Sequence, residues 1–226
     1  MSSRKIIFIT GTDTGVGKTL LAALLLKHLR ETGCHALAMK PFCSGNREDV
    51  KVLQSLQPGE LSDEEANPYF FSRPVAPLVA LRKSRRTISL SEVLNRIRAI
   101  KKQCDSLVIE GSGGLLVPLS EGFMVADLIS ALNGRVVVVA RDRLGTINHT
   151  LLTIEALRVR NLRRIKVALM GAGKADYSAA TNEGILRELL GLPVLKLPFL
   201  GRGSIVKTIE KSSFKKIKKT LAEILE

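Results

Sequence analysis

A run of glycine, threonine and lysine near the N-terminus has the composition of a phosphate-binding loop. The run Gly11-Thr-Asp-Thr-Gly-Val-Gly-Lys-Thr19 follows a strand-like segment and opens a helix-like one, which is the context that such a loop requires. Glycines let successive N–H groups converge on an anion, and the helix N-terminus adds about half a positive charge. Lys18 is expected to reach the β- and γ-phosphates, and the Thr19 hydroxyl to ligate Mg²⁺. The run therefore predicts binding of ATP with Mg²⁺.

This loop departs from the common spacing Gly-x4-Gly-Lys-Ser/Thr at one position. That spacing would place a glycine at position 12, where this chain has Thr12, and Gly11 stands one place earlier. A related group of ATPases, which partition DNA or position division sites, carries a second lysine early in the loop. The corresponding residue here is Asp13. Because no lysine is available there to reach across a dimer, that class of ATPase is disfavoured.

Two charged residues stand at the ends of predicted strands. Lys40 follows Ala36–Met39, and Glu110 ends Ser106–Glu110. Open α/β sheets bind ligands outside the carboxyl ends of their strands. A lysine there can stabilise charge that develops during phosphoryl transfer, and a carboxylate suits a hard cation. The alternative for Lys40 is a surface lysine whose aliphatic stem packs on the protein.

The elements that must position these residues alternate along the chain. Short β-branched apolar runs predict strands buried on both faces of a parallel sheet: Lys5–Thr10, Ala36–Met39, Ser106–Glu110, Arg135–Ala140, Lys166–Met170 and Val194–Leu197. Longer segments between and after them predict helices: Lys18–Glu31, Leu90–Lys102, Asn148–Arg160, Ala179–Leu190 and Ser213–Leu225. Strands alternating with helices predict an α/β fold of the P-loop NTPase type, a doubly wound, mainly parallel sheet with helices on both faces. Asn46–Arg86, with four of the eight prolines, is expected to be a loop-rich insertion.

Length and composition favour one domain that spans residues 1–226, since 45% of the residues are hydrophobic. The longest apolar runs, such as Leu20–Leu26 and Val136–Ala140, are far too short to cross a bilayer. The N-terminus lacks the charged head, apolar stretch and cleavage site of a signal peptide. We therefore expect a cytoplasmic protein with no membrane partner.

The net charge of +14 raises the question of a nucleic-acid partner. Basic residues concentrate in Lys207–Lys219 and Arg82–Arg86, but aromatic residues make up only 4% of the chain. No ribonucleoprotein or helix-turn-helix pattern interleaves with the basic runs, so they are interpreted as solvated faces, and no specific nucleic acid is expected. A basic protein also suits polyanionic substrates such as ATP.

Several segments, in the same order along the chain, resemble those of dethiobiotin synthetases. The phosphate loop is similar to the Gly-Thr-Asp-Thr-x-Val-Gly-Lys-Thr loop of that family. The further matches are Lys40-Pro-Phe-Cys-Ser-Gly45, Asn67-Pro-Tyr-Phe-Phe71 with Pro74–Pro77, Glu110-Gly-Ser-Gly-Gly114, in which Ser112 replaces alanine, and Leu144-Gly-Thr-Ile-Asn-His149. Their shared order makes the resemblance specific, whereas the loop alone would not.

The resemblance implies a reaction and its partners. In this family 7,8-diaminopelargonic acid captures carbon dioxide, supplied as such or as bicarbonate, as a carbamate on one amine. The carbamate attacks the γ-phosphorus of ATP, and the second amine closes the ring of the resulting carbamic–phosphoric anhydride. The products are dethiobiotin, ADP and phosphate. The family also implies a homodimer.

The resemblance assigns roles to residues of this chain. Catalysis is assigned to Lys40, Lys18 and Thr14, and the metal to Thr19, Asp49 and Glu110. Substrate contacts are assigned to Ser44, Gly111, Gly114 and Asn148, the last at a helix N-terminus that completes the partner's site. Nucleotide contacts are assigned to Gly15, Val16, Gly17, Lys18, Thr19, Leu20, Asp49, Glu110, Gly111, Ser112, Gly113, Gly171, Ala172, Pro198, Phe199 and Leu200. Simple turn chemistry is the alternative for Ser44, and a solvated acid at a helix start is the alternative for Asp49.

Two departures from the family concern the nucleotide base. After the strand Lys166–Met170 the family usually places an asparagine that reads adenine, and this chain has Gly171. After Leu197-Pro-Phe-Leu200 the family usually has an acidic residue, and this chain has Gly-Arg-Gly-Ser204. We therefore expect intact chemistry at the phosphates and weak discrimination among bases.

Two other functions stay open at this point. One is a nucleotide-dependent switch or partitioning protein with a basic DNA-binding face. The other is a related small kinase or synthetase that acts on another diamine or carboxylate. Asp13 and the segment Lys40–Gly45 favour the dethiobiotin synthetase.

Overall fold

The computed structural model describes residues 5–174, 176–201, 205–206 and 213–226. Part of the basic C-terminal segment (207–212), most of the stretch that replaces the family's acidic residue (202–204) and the first four residues lie outside the described ranges. None of the described residues forms a helix long and apolar enough to cross a membrane.

The strands and helices alternate as the sequence predicts. The strands are β1 (Lys5–Gly11), β2 (Ala36–Met39), β3 (Phe42–Ser44), β4 (Tyr69–Phe71), β5 (Ser106–Glu110), β6 (Pro118–Ser120), β7 (Phe123–Met124), β8 (Arg135–Arg141), β9 (Ile165–Met170) and β10 (Val194–Leu197). The helices are α1 (Lys18–Glu31), α2 (Glu48–Ser55), α3 (Asp63–Ala66), α4 (Pro77–Lys83), α5 (Leu90–Lys101), α6 (Val125–Leu132), α7 (Thr146–Arg158), α8 (Asn182–Leu190) and α9 (Ser213–Leu225), and a 3₁₀ helix covers Tyr177–Ala180.

A six-stranded sheet, in the order β10-β9-β8-β1-β5-β2, forms the centre of the molecule. Every pair of neighbouring strands in it is parallel. Strand β1 lies in the interior of the sheet. The next strands of the sheet along the chain, β2 and β5, lie on one side of β1, and β8, β9 and β10 lie on the other side. In such a sheet the ligand crevice lies at the carboxyl ends of the central strands, where the strand order reverses. The predicted doubly wound α/β fold is confirmed.

Helices cover both faces of this sheet, because successive strand residues point to opposite sides. In β1, Ile7 and Ile9 pack with α1 and α9, whereas Phe8 packs with the cluster that includes α5, α6, α7 and α8. Burial on both faces explains why the strands are continuous apolar runs instead of alternating ones.

Several predicted boundaries differ from the observed ones by one to three residues. Helix α7 begins at Thr146, not Asn148, because Gly145 adopts a left-handed conformation directly before it. Helix α8 begins at Asn182, not Ala179, because the preceding residues form the 3₁₀ helix. Helix α5 ends one residue early, at Lys101, and begins with a capping box in which the Ser89 and Glu92 side chains each accept a hydrogen bond from the other residue's backbone N–H.

The segment 46–86 is more regular than the sequence indicates. It contains α2, α3, β4 and α4, and β4 pairs in parallel with β3 in a separate two-stranded sheet. The rings of Phe42 and Tyr69 stack across these two strands with their centroids 4.8 Å apart. The prediction of a loop-rich insertion is therefore wrong in detail, because these elements are too short for their hydrophobic period to be read.

Candidate active site

The phosphate loop connects β1 to α1 at the centre of the sheet. Gly15 and Gly17 adopt positive φ angles of 72° and 110°, which residues with a side chain rarely adopt. Gly17 is the residue before α1, and no side chain caps the first N–H groups of that helix. Uncapped N–H groups at a helix N-terminus can bind an anion.

Lys18 is buried inside this loop. Its Nζ donates a hydrogen bond to the backbone oxygen of Asp13 at 2.8 Å. Burial lowers the pKa of Lys18 to about 8, although the negative charge of Glu110 acts in the opposite direction. A bound phosphate would stabilise the charged form of Lys18 in the same way as any close anion.

Lys40 connects the phosphate loop to the neighbouring strand ends. Its Nζ contacts Asp49 Oδ2, at the start of α2, and lies 2.8 Å from Glu110 Oε1, at the end of β5. Thr19 Oγ1, in the first turn of α1, donates to the same Glu110 oxygen at 2.8 Å. The strand order β1-β5-β2 places Glu110 between the loop and Lys40.

The opposite charges of Lys40 and Asp49 stabilise each other's ionised form. Burial acts to lower the pKa of Lys40, but attraction to Glu110 and Asp49 is stronger and raises it above its ordinary value. Burial likewise acts to raise the pKa of Asp49, but the Lys40 ammonium holds it below its ordinary range. Glu110 is fully buried, and burial raises its pKa. Lys40 is therefore a fixed positive charge in the wall of the site.

Oxygen donors that suit Mg²⁺ meet beside the phosphate loop. They are the Thr19 hydroxyl and the carboxylates of Asp49 and Glu110, and Glu110 Oε2 is buried with no hydrogen-bond partner among the described residues. The described ranges contain no group of three or more His, Cys, Asp or Glu residues that could hold a metal. Mg²⁺ is commonly held by one or two carboxylates together with substrate phosphates and water, so this donor set fits it.

A cleft of about 710 Å³ opens over the loop and this cluster. Eight of the predicted site residues that carry polar side chains line it: Thr14, Lys18, Thr19, Lys40, Ser44, Asp49, Glu110 and Ser112. Gly15, Gly17, Leu20 and Gly113 line it as well. Val16 and Gly111 are buried behind its wall, and Gly114 is adjacent to the loop without lining the cleft.

The serine and glycine of the turns around this cleft have distinct environments. Ser44 Oγ is buried and has no hydrogen-bond partner among the described residues. The Ser112 hydroxyl instead donates to the backbone oxygen of Phe42 and so joins the turn after β5 to β3. A Cβ added at Gly113 would lie 2.8 Å from Val117 Cγ2, so this turn has no room for a side chain.

Sequence reasoning missed part of the cleft wall. Cys43, Asn46 and Val117 line it, and so does the run from Pro74 to Pro77. Two signals were available, since Pro74–Pro77 and Cys43 both lie in segments that resemble the family. Val117 lies outside those segments and carries no polar group that would have marked it.

Besides Val16, Gly111 and Gly114, six predicted residues do not line this cleft. Gly171, Ala172, Pro198, Phe199 and Leu200 follow β9 and β10, where Gly171 N donates to Leu197 O at 2.8 Å. Asn148 is exposed in the first turn of α7. The charged residues around the phosphate loop, which we call the phosphate end, are thus distinct from residues 171–173 and 198–200, which the family resemblance assigns to the nucleobase and which we call the base-side segment.

Comparison with known proteins identifies the family. A family model described as an AAA domain matches residues 5–201. A protein of Bacillus licheniformis named ATP-dependent dethiobiotin synthetase BioD is 38% identical over 194 residues, 83% of each chain. Proteins of the same name from Endomicrobium trichonymphae and an Anaeromyxobacter species are 36% and 43% identical, over 90% and 75% of this chain and 96% and 78% of theirs. The chain belongs to the dethiobiotin synthetase family. The predicted resemblance is confirmed.

Solved structures share the fold of this dethiobiotin synthetase family member at low identity. A ParA family ATPase from Chlorobium tepidum has a TM-score of 0.60 at 14% identity and covers 99% of this chain and 100% of its own. A chain of the MinC:MinD cell division protein complex from Aquifex aeolicus has a TM-score of 0.66 at 13% identity and covers 98% of this chain and 96% of its own. At such identities the likeness concerns the fold alone. The position of the second lysine holds Asp13, whose Oδ1 accepts a hydrogen bond from Thr14 N at 2.6 Å.

Proposed function

We propose that this protein closes the cyclic urea of dethiobiotin, at the expense of ATP, from 7,8-diaminopelargonic acid and carbon dioxide or bicarbonate. The observation that carries the proposal is the buried ammonium of Lys40, which contacts Asp49 and Glu110 next to the phosphate-loop residue Lys18. Two fixed cations at one end of a cleft suit a reaction in which one anion, a carbamate, attacks another, the γ-phosphate. Membership of the family supports the same reaction.

We assign the ATP phosphates to the phosphate loop. Lys18 and the free N–H groups before α1 would bind the β- and γ-phosphates, and the exposed Thr14 hydroxyl would point to the γ-phosphate. Thr19, Asp49 and Glu110 would hold Mg²⁺, which neutralises charge on the phosphates when it is bound. Glu110 Oε2, buried and without a partner among the described residues, supports this assignment.

We assign the diamine to the other half of the cleft. Ser44 Oγ would accept or donate a hydrogen bond at one amine or at the carbamate, since its hydroxyl has no partner among the described residues. Lys40 would hold the carbamate oxygen and the γ-phosphate together. Pro74, Val75 and Val117 give the cleft an apolar wall, which suits the aliphatic chain of the diamine. Gly111 and Gly114 would let the backbone approach the substrate.

The remaining assignments concern the assembly. We propose a cytoplasmic homodimer of single-domain subunits, in which the first turn of α7, with Asn148, receives the carboxylate of the diamine bound to the partner. Support comes from the exposure of Asn148 and from the fact that it does not line the cleft of its own chain. The base-side segment would take the nucleobase through backbone groups and the Phe199 ring.

Product analysis tests the proposal. The protein is incubated with ATP, Mg²⁺, bicarbonate and the diamine, and the products are identified by mass spectrometry. We expect dethiobiotin and ADP in equal amounts, with phosphate release that requires both diamine and bicarbonate. Lys18→Ala protein is the control for a contaminating enzyme. Phosphate release that ignores the diamine but responds to DNA would instead support the partitioning ATPase.

A further inference from the structure

A buried carboxylate outside the cleft joins the ends of β8, β9 and β10. Asp142 follows β8, and its side chain is only 1% exposed. Its backbone N donates to Met170 O, at the end of β9, at 2.9 Å. Its Oδ1 accepts a hydrogen bond from Asn182 Nδ2 at 2.9 Å, and its Oδ2 lies 2.7 Å from Lys196 Nζ on β10. We call Asp142, Asn182 and Lys196 the Asp142 cluster.

This cluster lies directly under the loop that leads into α7. Leu144 N, in that loop, donates to Asp176 Oδ2 at 2.8 Å. Asp176 in turn caps the 3₁₀ helix by accepting from Ser178 N at 2.9 Å. Leu144 itself points outward and is 81% exposed. The side chains of Asp176 and Asn182 therefore hydrogen-bond to the loop 142–145 on its inner side, and the outward-facing Leu144 is exposed to solvent.

At its other end the cluster reaches β10. Lys196 lies two positions before Pro198 and pairs in register with Leu169 of β9, which pairs in turn with Ala140 of β8. Its ammonium thus passes over β9 to reach Asp142. It also donates to Ala179 O, in the 3₁₀ helix, at 2.6 Å. The cluster therefore links the loop after β8 to β10 and to the 3₁₀ helix, and none of its hydrogen bonds or ion pairs among the described residues involves residues 198–200.

The pair is not expected to add much stability, because taking the Asp142 carboxylate out of water costs much of what its attraction to Lys196 gains. What the Asn182 amide adds is a directional hydrogen bond to Asp142 Oδ1, which defines one position of the loop, and the nearby Lys196 ammonium balances the charge of the carboxylate. A positioning function explains the cluster better than a gain in stability.

We propose that Asp142, Asn182 and Lys196 are positioning residues that set the first turn of α7, and so Asn148, for the carboxylate of the diamine. The inference rests on the proposed function, because it assumes that α7 contacts that substrate. According to this proposal, the Asp142 cluster affects the affinity for the diamine although it lies outside the cleft. It does not contact the ATP phosphates.

Replacing Lys196 gives the cleanest test, since its side chain is 38% exposed and its loss does not open a cavity in the core. Lys196→Met should raise the KM for the diamine about fivefold to thirtyfold, the range typical of coupling between contacting residues. The kcat at saturating diamine and the KM for ATP should stay within about twofold of wild type. Lys196→Arg keeps the charge and should restore most of the diamine affinity. Asp142→Asn should resemble Lys196→Met.

A matched control comes from the same helix and strand. Arg187 of α8 pairs with Glu183 and donates to Val194 O of β10, both at 2.8 Å, without contacting the loop 142–145. Arg187→Met should leave the diamine KM unchanged even if it lowers the melting temperature. An equal rise in KM for Arg187→Met and Lys196→Met would overturn the proposal, because general loosening would then explain both.

Hydrogen exchange gives a readout that does not depend on activity. Amides of residues 143–148 should exchange faster in Lys196→Met than in wild type, and those of the phosphate loop should not. Unchanged exchange at 143–148 would overturn the positioning function whether or not the wild-type protein forms dethiobiotin. If the wild-type protein formed none, the proposed function would fail separately from this result.

Discussion

The phosphate end and the base-side segment of this molecule are built in different ways. At the phosphate end, Lys18, Lys40 and Glu110 are buried charged residues that contact each other or the loop backbone. In the base-side segment the contacts are backbone hydrogen bonds and the partly exposed ring of Phe199. Transferred charge needs fixed charges in a dry wall, whereas a nucleobase can be held by a surface that stacks on any base. With the assignments proposed above, the difference predicts a site that fixes the charges of the chemical step more firmly than it selects the base.

Loss of the phosphate-loop lysine should have the largest effect. Lys18→Ala should lower turnover by about 10²–10³ or more, as expected for a group that stabilises developing charge. Its aliphatic stem is buried, so Lys18→Met, which keeps the stem, separates loss of charge from loss of packing. Steady-state phosphate release measures the effect, with circular dichroism as the check on folding. Exposed Lys51→Ala, on α2, is the control. Near-normal turnover of folded Lys18→Ala or Lys18→Met protein would disprove the loop assignment.

Lys40→Ala should affect the chemical step more than ATP binding. Its ammonium lies between two carboxylates at the strand end, not within the loop that would bind most of the nucleotide phosphates. The rate of dethiobiotin formation in a single turnover should fall about a hundredfold, while the ATP dissociation constant changes by about threefold at most. Loss of ATP affinity with an intact single-turnover rate would contradict this role.

A smaller effect is expected at the proposed metal ligands. Glu110→Gln should raise the Mg²⁺ concentration for half-maximal activity about tenfold, because an amide is a poorer ligand for a hard cation. Asp49→Asn should raise the Mg²⁺ requirement less, since the Asp49 side chain is 41% exposed and water screens its charge. The measurement is a Mg²⁺ titration at fixed ATP. An unchanged titration for Glu110→Gln would remove it from the metal site.

The phosphate end was predictable to the extent that it depends on local pattern. Glycine spacing and a preceding apolar strand identified the loop, and strand-end charges identified Lys40 and Glu110. Their mutual contact depends on the strand order β1-β5-β2, which hydrophobic periodicity does not specify. The pair of Asp142 and Lys196 was missed for the same reason, because its partners meet only after β9 is placed between them. Apolar Val117 enters the cleft wall through turn geometry that composition does not encode.

The weakest expected effect, and the sharpest test of the comparison, is discrimination among nucleoside triphosphates. An asparagine in place of Gly171 would offer adenine a donor and an acceptor, and a site built that way rejects other bases because its polar atoms are left unpaired. Gly171 offers only its backbone, and its N–H is already bonded to Leu197 O. A paired contact of this kind is worth about 1–3 kcal/mol, by analogy with bidentate base readout, so its absence should reduce the preference for ATP by roughly tenfold to a hundredfold.

Gly171→Asn, the obvious way to restore base readout, does not test this idea. A Cβ at Gly171 would lie 2.7 Å from Phe199 N, a backbone atom that cannot move aside freely.

Phe199→Ala is the better variant: if the ring stacks on any base, the KM should rise by a similar factor for ATP, CTP, GTP and UTP. The decisive quantity is the ratio of kcat/KM for ATP to that for each other triphosphate, at saturating diamine and bicarbonate. A wild-type ratio above about a thousandfold exceeds what the weak readout proposed here allows. Such a ratio would mean that the base-side segment selects adenine through backbone groups. The proposed difference between a selective phosphate end and an unselective base-side segment would then be wrong.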